Sequence, residues 1–359
     1  AKNAVLPVMA ASLMNEGVTV IRGCPDIADV RAMCGILNHL HCKTDFKKGC
    51  LVIDTSMAEY EEIKAEDTKQ LRASSVLMGP VLTRFGKVRL AYPGGCSIGS
   101  RPLDIHLHAL KCLGASWSVS EDFIEMETTG LHPSEITLRF PSVGATQNAI
   151  MASVKVPGIT IIRNAAKEPE IVGLCDYLTG CGADIKGAGG DTIAVRGVDN
   201  LNDTVYTIPA DRMVMGTYIA SVCATRGNIK LTGCNICDAG GFLDVYTGMG
   251  LEYKECEDGI CIFQKERPKA VNYIKTSVYP GFPTDMQSVT MSVAAYSDGK
   301  TVFEESIFEN RFGVAGQLKK MGADISVDKN MAHVTGRSRL TGADVAGTDL
   351  RGTAALFVA

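Results

Sequence analysis

PSVGATQNAIMASVKVPGITII, residues 141–162, couples a helix-forming run of small and apolar residues to a glycine, Gly158, and then to a β-branched strand. The same sentence recurs four more times. It reads AKNAVLPVMAASLMNEGVTVI at 1–21, QLRASSVLMGPVLTRFGKVRL at 70–90, PADRMVMGTYIASVCATRGNIKL at 209–231 and PTDMQSVTMSVAAYSDGKTVF at 283–303. The pivot glycines Gly17, Gly86, Gly158, Gly227 and Gly299 are spaced by 69, 72, 69 and 72 residues. A period this long marks a folding unit and not a solenoid module. Each unit holds a second helix that ends in Gly-Ala before a hairpin: Gly114-Ala115, Gly182-Ala183, Gly322-Ala323 and, more weakly, Gly250-Leu251. Glycine there suits a left-handed helix C-cap. The first unit has His41-Cys42 instead.

Each repeat is therefore expected to run strand–helix–strand–helix–strand–strand, an α/β fold with amphipathic helices (Ile27, Val30, Cys34, Leu37) and alternating strands (Thr192, Ala194, Arg196). Five copies and the start of a sixth, GTDLRGTAALFVA at 347–359, divide as three plus three. The reading is two barrel-like domains: residues 2–209, carrying a Cys loop at 93–102, and residues 210–359, incomplete at its C-terminus and lacking an N-terminal strand. The first repeat also lacks its leading strand. Completing a six-fold repeat predicts a natural protein longer by roughly 20 residues in front and about 40 behind.

Composition narrows the function. Over 359 residues the chain is 46% hydrophobic and 21% charged, with a net charge of −4. An acidic balance disfavours a nucleic-acid partner. Apolar stretches such as Tyr218–Ala224 fall short of the roughly 20 residues of a membrane span. No leader pattern opens the chain, so a cytoplasmic location is expected. The 13 cysteines are odd in number and scattered, which reads as mostly buried thiols in a reducing compartment. Cys234 and Cys237 form a CxxC without a second ligand pair, and His106 and His108 lie at i, i+2, so neither a metal nor a cofactor is expected. The two histidines read as surface residues or as supports behind a site. No P-loop or HExxH occurs, and Gly187–Gly190 reads as a hairpin turn.

The helix starts carry the chemistry. They hold Lys2 and Asn3, Arg72, Ser142-Val143-Gly144, Asp211-Arg212, Thr284-Asp285 and Asp349-Leu350-Arg351. Asp, Ser, Thr and Asn there serve as N-caps in their own right. Lys2, Arg72 and Arg351 do not, because a cation opposes the positive end of a helix dipole unless an anion lies nearby. Repetition would place these starts on one face of each domain, and two such faces opposed would suit a small polyanionic substrate. The loop PGGCSIGSRP at 93–102 sets Cys96 among glycines with Arg101 at its far end, a setting that favours a reactive thiol.

Six ordered motifs carry a resemblance: AKNAVLP at 1–7, PGGCSIGSRPLDIH at 93–106, PSVGAT at 141–146, FPTDMQ at 282–287, FENRF at 308–312 and TDLR at 348–351. Together they are similar to the UDP-N-acetylglucosamine 1-carboxyvinyltransferase family, the enolpyruvyl transferases of peptidoglycan synthesis. The resemblance implies two inside-out α/β domains of three repeats each, closing over a site between them. It implies transfer of the enolpyruvyl group of phosphoenolpyruvate to the 3′-hydroxyl of UDP-N-acetylglucosamine with release of phosphate. Cys96 would then be the proton donor and the target of fosfomycin, and Asp285 the acceptor of the hydroxyl proton. Lys2, Asn3, Arg101 and Arg351 would hold phosphoenolpyruvate. Arg72, Arg101, Pro102, Leu103, Asp104, Ile105, Ser142, Val143, Gly144, Asp285 and Ile307 would bind the nucleotide sugar, with Arg311 and Asp349 in support. The family has a further arginine beyond TDLR, which this chain does not reach. Two rivals remain: a shikimate-pathway enolpyruvyl transferase, and an inactive nucleotide-sugar-binding homologue.

Overall fold

The computed structural model describes residues 1–91, 99, 102–347 and 349–359, and of Lys69, Gln70 and Arg72 the backbone alone. Cys96 and Arg101 lie outside the described residues. The first repeat runs α1 (Lys2–Ala11), β1 (Val18–Arg22), α2 (Ala28–His39), β2 (Lys43–Lys47) and β3 (Cys50–Asp54). After a short α3 (Ala65–Gln70), the second runs α4 (Met78–Phe85), β4 (Lys87–Ala91), α5 (Asp104–Cys112), β5 (Ser116–Val119) and β6 (Phe123–Glu127). The third adds a leading strand: β7 (Glu135–Thr137), α6 (Val143–Ser153), β8 (Ile159–Arg163), α7 (Pro169–Gly180), β9 (Asp184–Lys186) and β10 (Thr192–Arg196). β11 (Thr204–Thr207) follows. The fourth runs α8 (Arg212–Thr225), β12 (Asn228–Thr232), α9 (Gly241–Gly248), β13 (Glu252–Cys256) and β14 (Gly259–Phe263). The fifth runs β15 (Tyr273–Lys275), α10 (Thr284–Tyr296), β16 (Lys300–Glu304), α11 (Gly313–Lys320), β17 (Asp324–Asp328) and β18 (Met331–Thr335), and α12 (Leu350–Val358) opens the sixth.

Among the described residues the chain parts into two compact units, one of 1–91 with 102–209 and the other of 210–359 with Gly99. Each has its own apolar core. The fold is inside-out: α1, α6 and α10 are buried and the sheets lie outside, while α8 exposes Val214 and Tyr218 and α12 exposes Leu350 and Phe357. α1 buries every residue from Ala4 to Ala11, α6 every residue from Ala145 to Ser153, and α10 every residue from Met286 to Ala295. Such helices need no polar face, which is why their small-residue pattern repeats so plainly. The strands alternate instead, with one face in and one out, as in β8 and β10.

The sheet orders are β11-β1-β3-β2, β4-β6-β5 and β7-β8-β10-β9 in the first unit, and β12-β14-β13 and β15-β16-β18-β17 in the second. Two expectations need correction. The first repeat does not lack its leading strand: β11 supplies it, parallel to β1, with Thr19 opposite Thr204 and Ile21 opposite Tyr206. The second and fourth repeats show three strands each among the described residues, not four. Ahead of α4 the chain places α3 and a 3-10 turn where a strand was expected, so that the backbone bonds to itself. The cysteines also differ from expectation, since five of the twelve described are buried, six are half-buried and Cys237 is exposed.

The second-helix ends follow one geometry. Gly114, Gly182, Gly250 and Gly322 all have left-handed φ angles of 88–103°, and His41 adopts 61° at the equivalent place. In each case the next residue's N–H donates back to the helix, from Cys42 to Leu37, Ala115 to Leu110, Ala183 to Leu178, Leu251 to Tyr246 and Ala323 to Leu318. This 6→1 closure turns the chain from helix into hairpin whether or not glycine is present.

Candidate active site

In the first unit the predicted residues sit at helix starts. Lys2 opens α1, and its ammonium lies 3.1 Å from the carboxylate of Asp29 on α2; Asn3 is exposed. Arg72 begins the 3-10 turn that leads into α4. Ser142 caps α6 by accepting from the Ala145 N–H at 3.4 Å, and Val143 and Gly144 form its first turn.

Behind that turn lies a polar pair that sequence reasoning did not assemble. Asn148 is fully buried. Its Oδ1 accepts from the Gly79 N–H at 2.6 Å, and its Nδ2 donates to the Ser75 carbonyl at 2.9 Å and to His106 Nδ1 at 3.0 Å. Accepting at Nδ1 leaves the His106 proton on Nε2, a neutral imidazole. Burial pushes the His106 pKa down to about 4, with Asp104 opposing the shift. His106 is therefore not a surface residue: it is wedged against α6, behind the helix start. A Cβ at Gly144 would stand 2.6 Å from His106 Cε1, so only glycine lets the ring approach. The signal in the sequence was the polar run Thr146-Gln147-Asn148 inside a helix otherwise built of small and apolar residues, GATQNAIMAS.

The segment before α5 splits by environment. Pro102 is exposed, Leu103 is buried in the core, Asp104 pairs with Arg139 and Ile105 is half-buried.

In the second unit the predicted residues converge. Asp285, in the first turn of α10, holds two guanidinium groups: its Oδ1 accepts from Arg311 Nη2 at 2.7 Å, and its Oδ2 from Arg351 Nη2 at 2.9 Å and Nε at 3.1 Å. Arg311 is 2% exposed, so its charge depends on this pairing and on Asp349, 3.9 Å away. Asp349 caps α12, accepting from the N–H groups of Arg351 and Gly352 at 3.0 and 3.1 Å. It thereby fixes the helix start from which Arg351 projects. Two of the cations expected at helix starts thus have carboxylate partners of their own chain, Asp29 for Lys2 and Asp285 for Arg351, which relieves their conflict with the helix dipole.

Glu305, buried at the end of β16, was also missed. Its carboxylate accepts from Thr276 and Thr284 hydroxyls at 2.9 Å each, and from the Ile307 and Phe308 N–H groups at 2.9 and 3.2 Å. It ties the Ile307 segment to the first residue of α10. A cavity of about 390 Å³ in the first unit, lined by Leu13, Arg84 and Lys155 among others, holds none of the predicted residues.

The family model described as EPSP synthase (3-phosphoshikimate 1-carboxyvinyltransferase) matches residues 1–359. The chain belongs to this family of enolpyruvyl transferases. UDP-N-acetylglucosamine 1-carboxyvinyltransferase 2 of Caldanaerobacter subterraneus subsp. tengcongensis is 43% identical over 359 residues, covering 100% of this chain and 86% of the relative. UDP-N-acetylglucosamine 1-carboxyvinyltransferase of Thermodesulfovibrio yellowstonii is 40% identical over 360 residues, with the same coverage. Among solved structures, the enolpyruvyl transferase NikO from Streptomyces tendae superposes with a TM-score of 0.87 at 20% identity, over 99% of this chain and 85% of that one. An EPSP synthase from Acinetobacter baumannii gives 0.71 at 18%, over 98% and 86%. These two likenesses establish the inside-out α/β fold of an enolpyruvyl transferase.

Proposed function

We propose that this enzyme transfers the enolpyruvyl group of phosphoenolpyruvate to the 3′-hydroxyl of UDP-N-acetylglucosamine and releases phosphate, a step of peptidoglycan synthesis. The observation that carries the reading is the full-length identity to two relatives bearing that activity in their names. The cluster of Asp285, Arg311, Asp349 and Arg351 supports it, because all four belong to the motifs that the resemblance rests on.

The reaction is addition followed by elimination. A proton reaches C3 of phosphoenolpyruvate, the sugar oxygen bonds to C2, and loss of a C3 proton then expels phosphate. Cys96 delivers the first proton. Asp285 accepts the hydroxyl proton at Oδ2, which is released when Arg351 turns from it to an anionic substrate. Lys2, Asn3, Arg101 and Arg351 bind phosphoenolpyruvate and balance the charge that develops. Arg72, Pro102–Ile105, Ser142, Val143, Gly144 and Ile307 bind the nucleotide sugar, the diphosphate at the start of α6 where unpaired N–H groups favour an anion. Among the described residues no helix is long and apolar enough to cross a membrane. The reading puts the enzyme in the bacterial cytoplasm, in a step on which cell shape and division depend.

The test is phosphate release from phosphoenolpyruvate with UDP-N-acetylglucosamine or shikimate 3-phosphate as acceptor. Release with the first alone is expected. Release with the second alone would reassign the acceptor, and nucleotide-sugar binding without release would mark an inactive homologue. Fosfomycin is expected to add one covalent adduct by intact mass, lost in Cys96→Ala.

A further inference from the structure

The hairpin of β13 and β14 carries two thiols on one face. In its register Cys256 stands opposite Gly259, and Lys254 opposite Cys261. Residues two apart on a strand share a face, so Cys256, Cys261 and Lys254 point the same way, while Ile260 and Ile262 point into the core and are fully buried. Gly259 has no side chain to fill the place across from Cys256, and that sulfur reaches diagonally toward Cys261. The two Sγ atoms are 2.9 Å apart, closer than non-bonded sulfurs ordinarily stand, and both residues are half-buried. On β12, Lys230 is register-paired with Cys261, its ammonium held 2.7 Å from Asp258. Lys230 and Lys254 act to lower the Cys261 thiol, against the larger raising effect of the neighbouring Cys256 and of burial. The buried thiols differ: desolvation pushes Cys24, Cys175 and Cys223 up to about 12, which keeps them protonated and inert.

We propose that Cys256 and Cys261 are a redox-active dithiol that closes to a disulfide by exchange with a small-molecule disulfide such as oxidised glutathione. The contact with Cys256 raises the Cys261 thiol, so Cys261 takes the second step. The Cys256 thiolate attacks one sulfur of the small disulfide and expels its other half as a thiolate. Cys261 then loses its proton and attacks Cys256 Sγ, expelling the second half. The protein pair gives up two protons and two electrons, and one small disulfide becomes two thiols. Excess small thiol runs the same steps backward.

The experiment treats the full chain with oxidised glutathione, blocks remaining thiols with iodoacetamide and digests with trypsin. The peptide of residues 255–265 carries both cysteines. It is expected two hydrogens lighter than its reduced form and with neither cysteine alkylated, and to regain both alkylations after reduced glutathione. In Cys261→Ser, which removes the second attack, Cys256 is expected to retain the glutathione adduct. Glutathione held stably on either residue of the unaltered chain, or both residues alkylated after oxidant, overturns the proposal.

Discussion

The starts of α6 and α10 occupy equivalent places in the third and fifth repeats, yet one is neutral and the other dense with charge. At α6 the polar side chains behind the first turn are Asn148 and an uncharged His106, held by hydrogen bonds and by the missing side chain of Gly144. At α10 the first turn itself carries Asp285 between Arg311 and Arg351. The repeat dictates the backbone device, a buried helix that aims its N-terminus outward. What each start can bind is decided by residues that the repeat does not copy.

The largest test of this contrast removes the charge. Asp285→Ala leaves the 2%-exposed Arg311 with the more distant Asp349 as a carboxylate partner, beside the Thr284 carbonyl. A loss of about 3–5 kcal/mol is expected in urea unfolding, the usual cost of orphaning a buried ion. A fall of roughly 10²–10⁴ in kcat is expected alongside, the usual contribution of a general base. A stable variant of unchanged activity would break the comparison.

Next comes pH. Burial pushes His106 down to about 4 in the folded chain, below its ordinary value of 6.5, so the unfolded chain takes up the proton first. Its contribution is fully present above pH 6.5 and is lost as pH falls from there to about 4, at most about 3 kcal/mol. Unfolding free energies at pH 7 and 4.5 should show a smaller decline for His106→Gln than for the unaltered chain.

Smaller effects sharpen the α6 side. Gly144→Ala puts a methyl 2.6 Å from the His106 ring, and about 1–3 kcal/mol of overpacking is expected by the same unfolding assay. Combining it with His106→Ala should recover part of that loss. Ser142→Ala removes a single long cap bond, at about 1 kcal/mol, and should raise KM for the nucleotide sugar more than it lowers kcat.

The architecture was legible because the repeat writes itself in local terms: a small-residue helix, a glycine, a strand, then a helix closed by a left-handed residue. The motif residues of the second unit were legible too, as positions, although nothing local announces that Asp285 meets Arg311 and Arg351 from 26 and 66 residues away. What stayed hidden was long-range pairing. Asn148 meets His106 across 42 residues and Gly79 across 69, and Glu305 reads as an ordinary polar residue just past the strand KTVFE. β11 was hidden for the same reason, because its partner β1 lies nearly the whole first unit away.

That last pairing has an architectural consequence. β11 closes the ring of repeats onto β1, and the backbone nitrogen of Ala1 donates to the carbonyl of Pro209 at 3.0 Å. Residues 1 and 209 of the first unit therefore adjoin. A segment whose two ends touch can be transplanted as a cassette, or reopened at a hairpin tip with its old ends spliced, and still find the same partners.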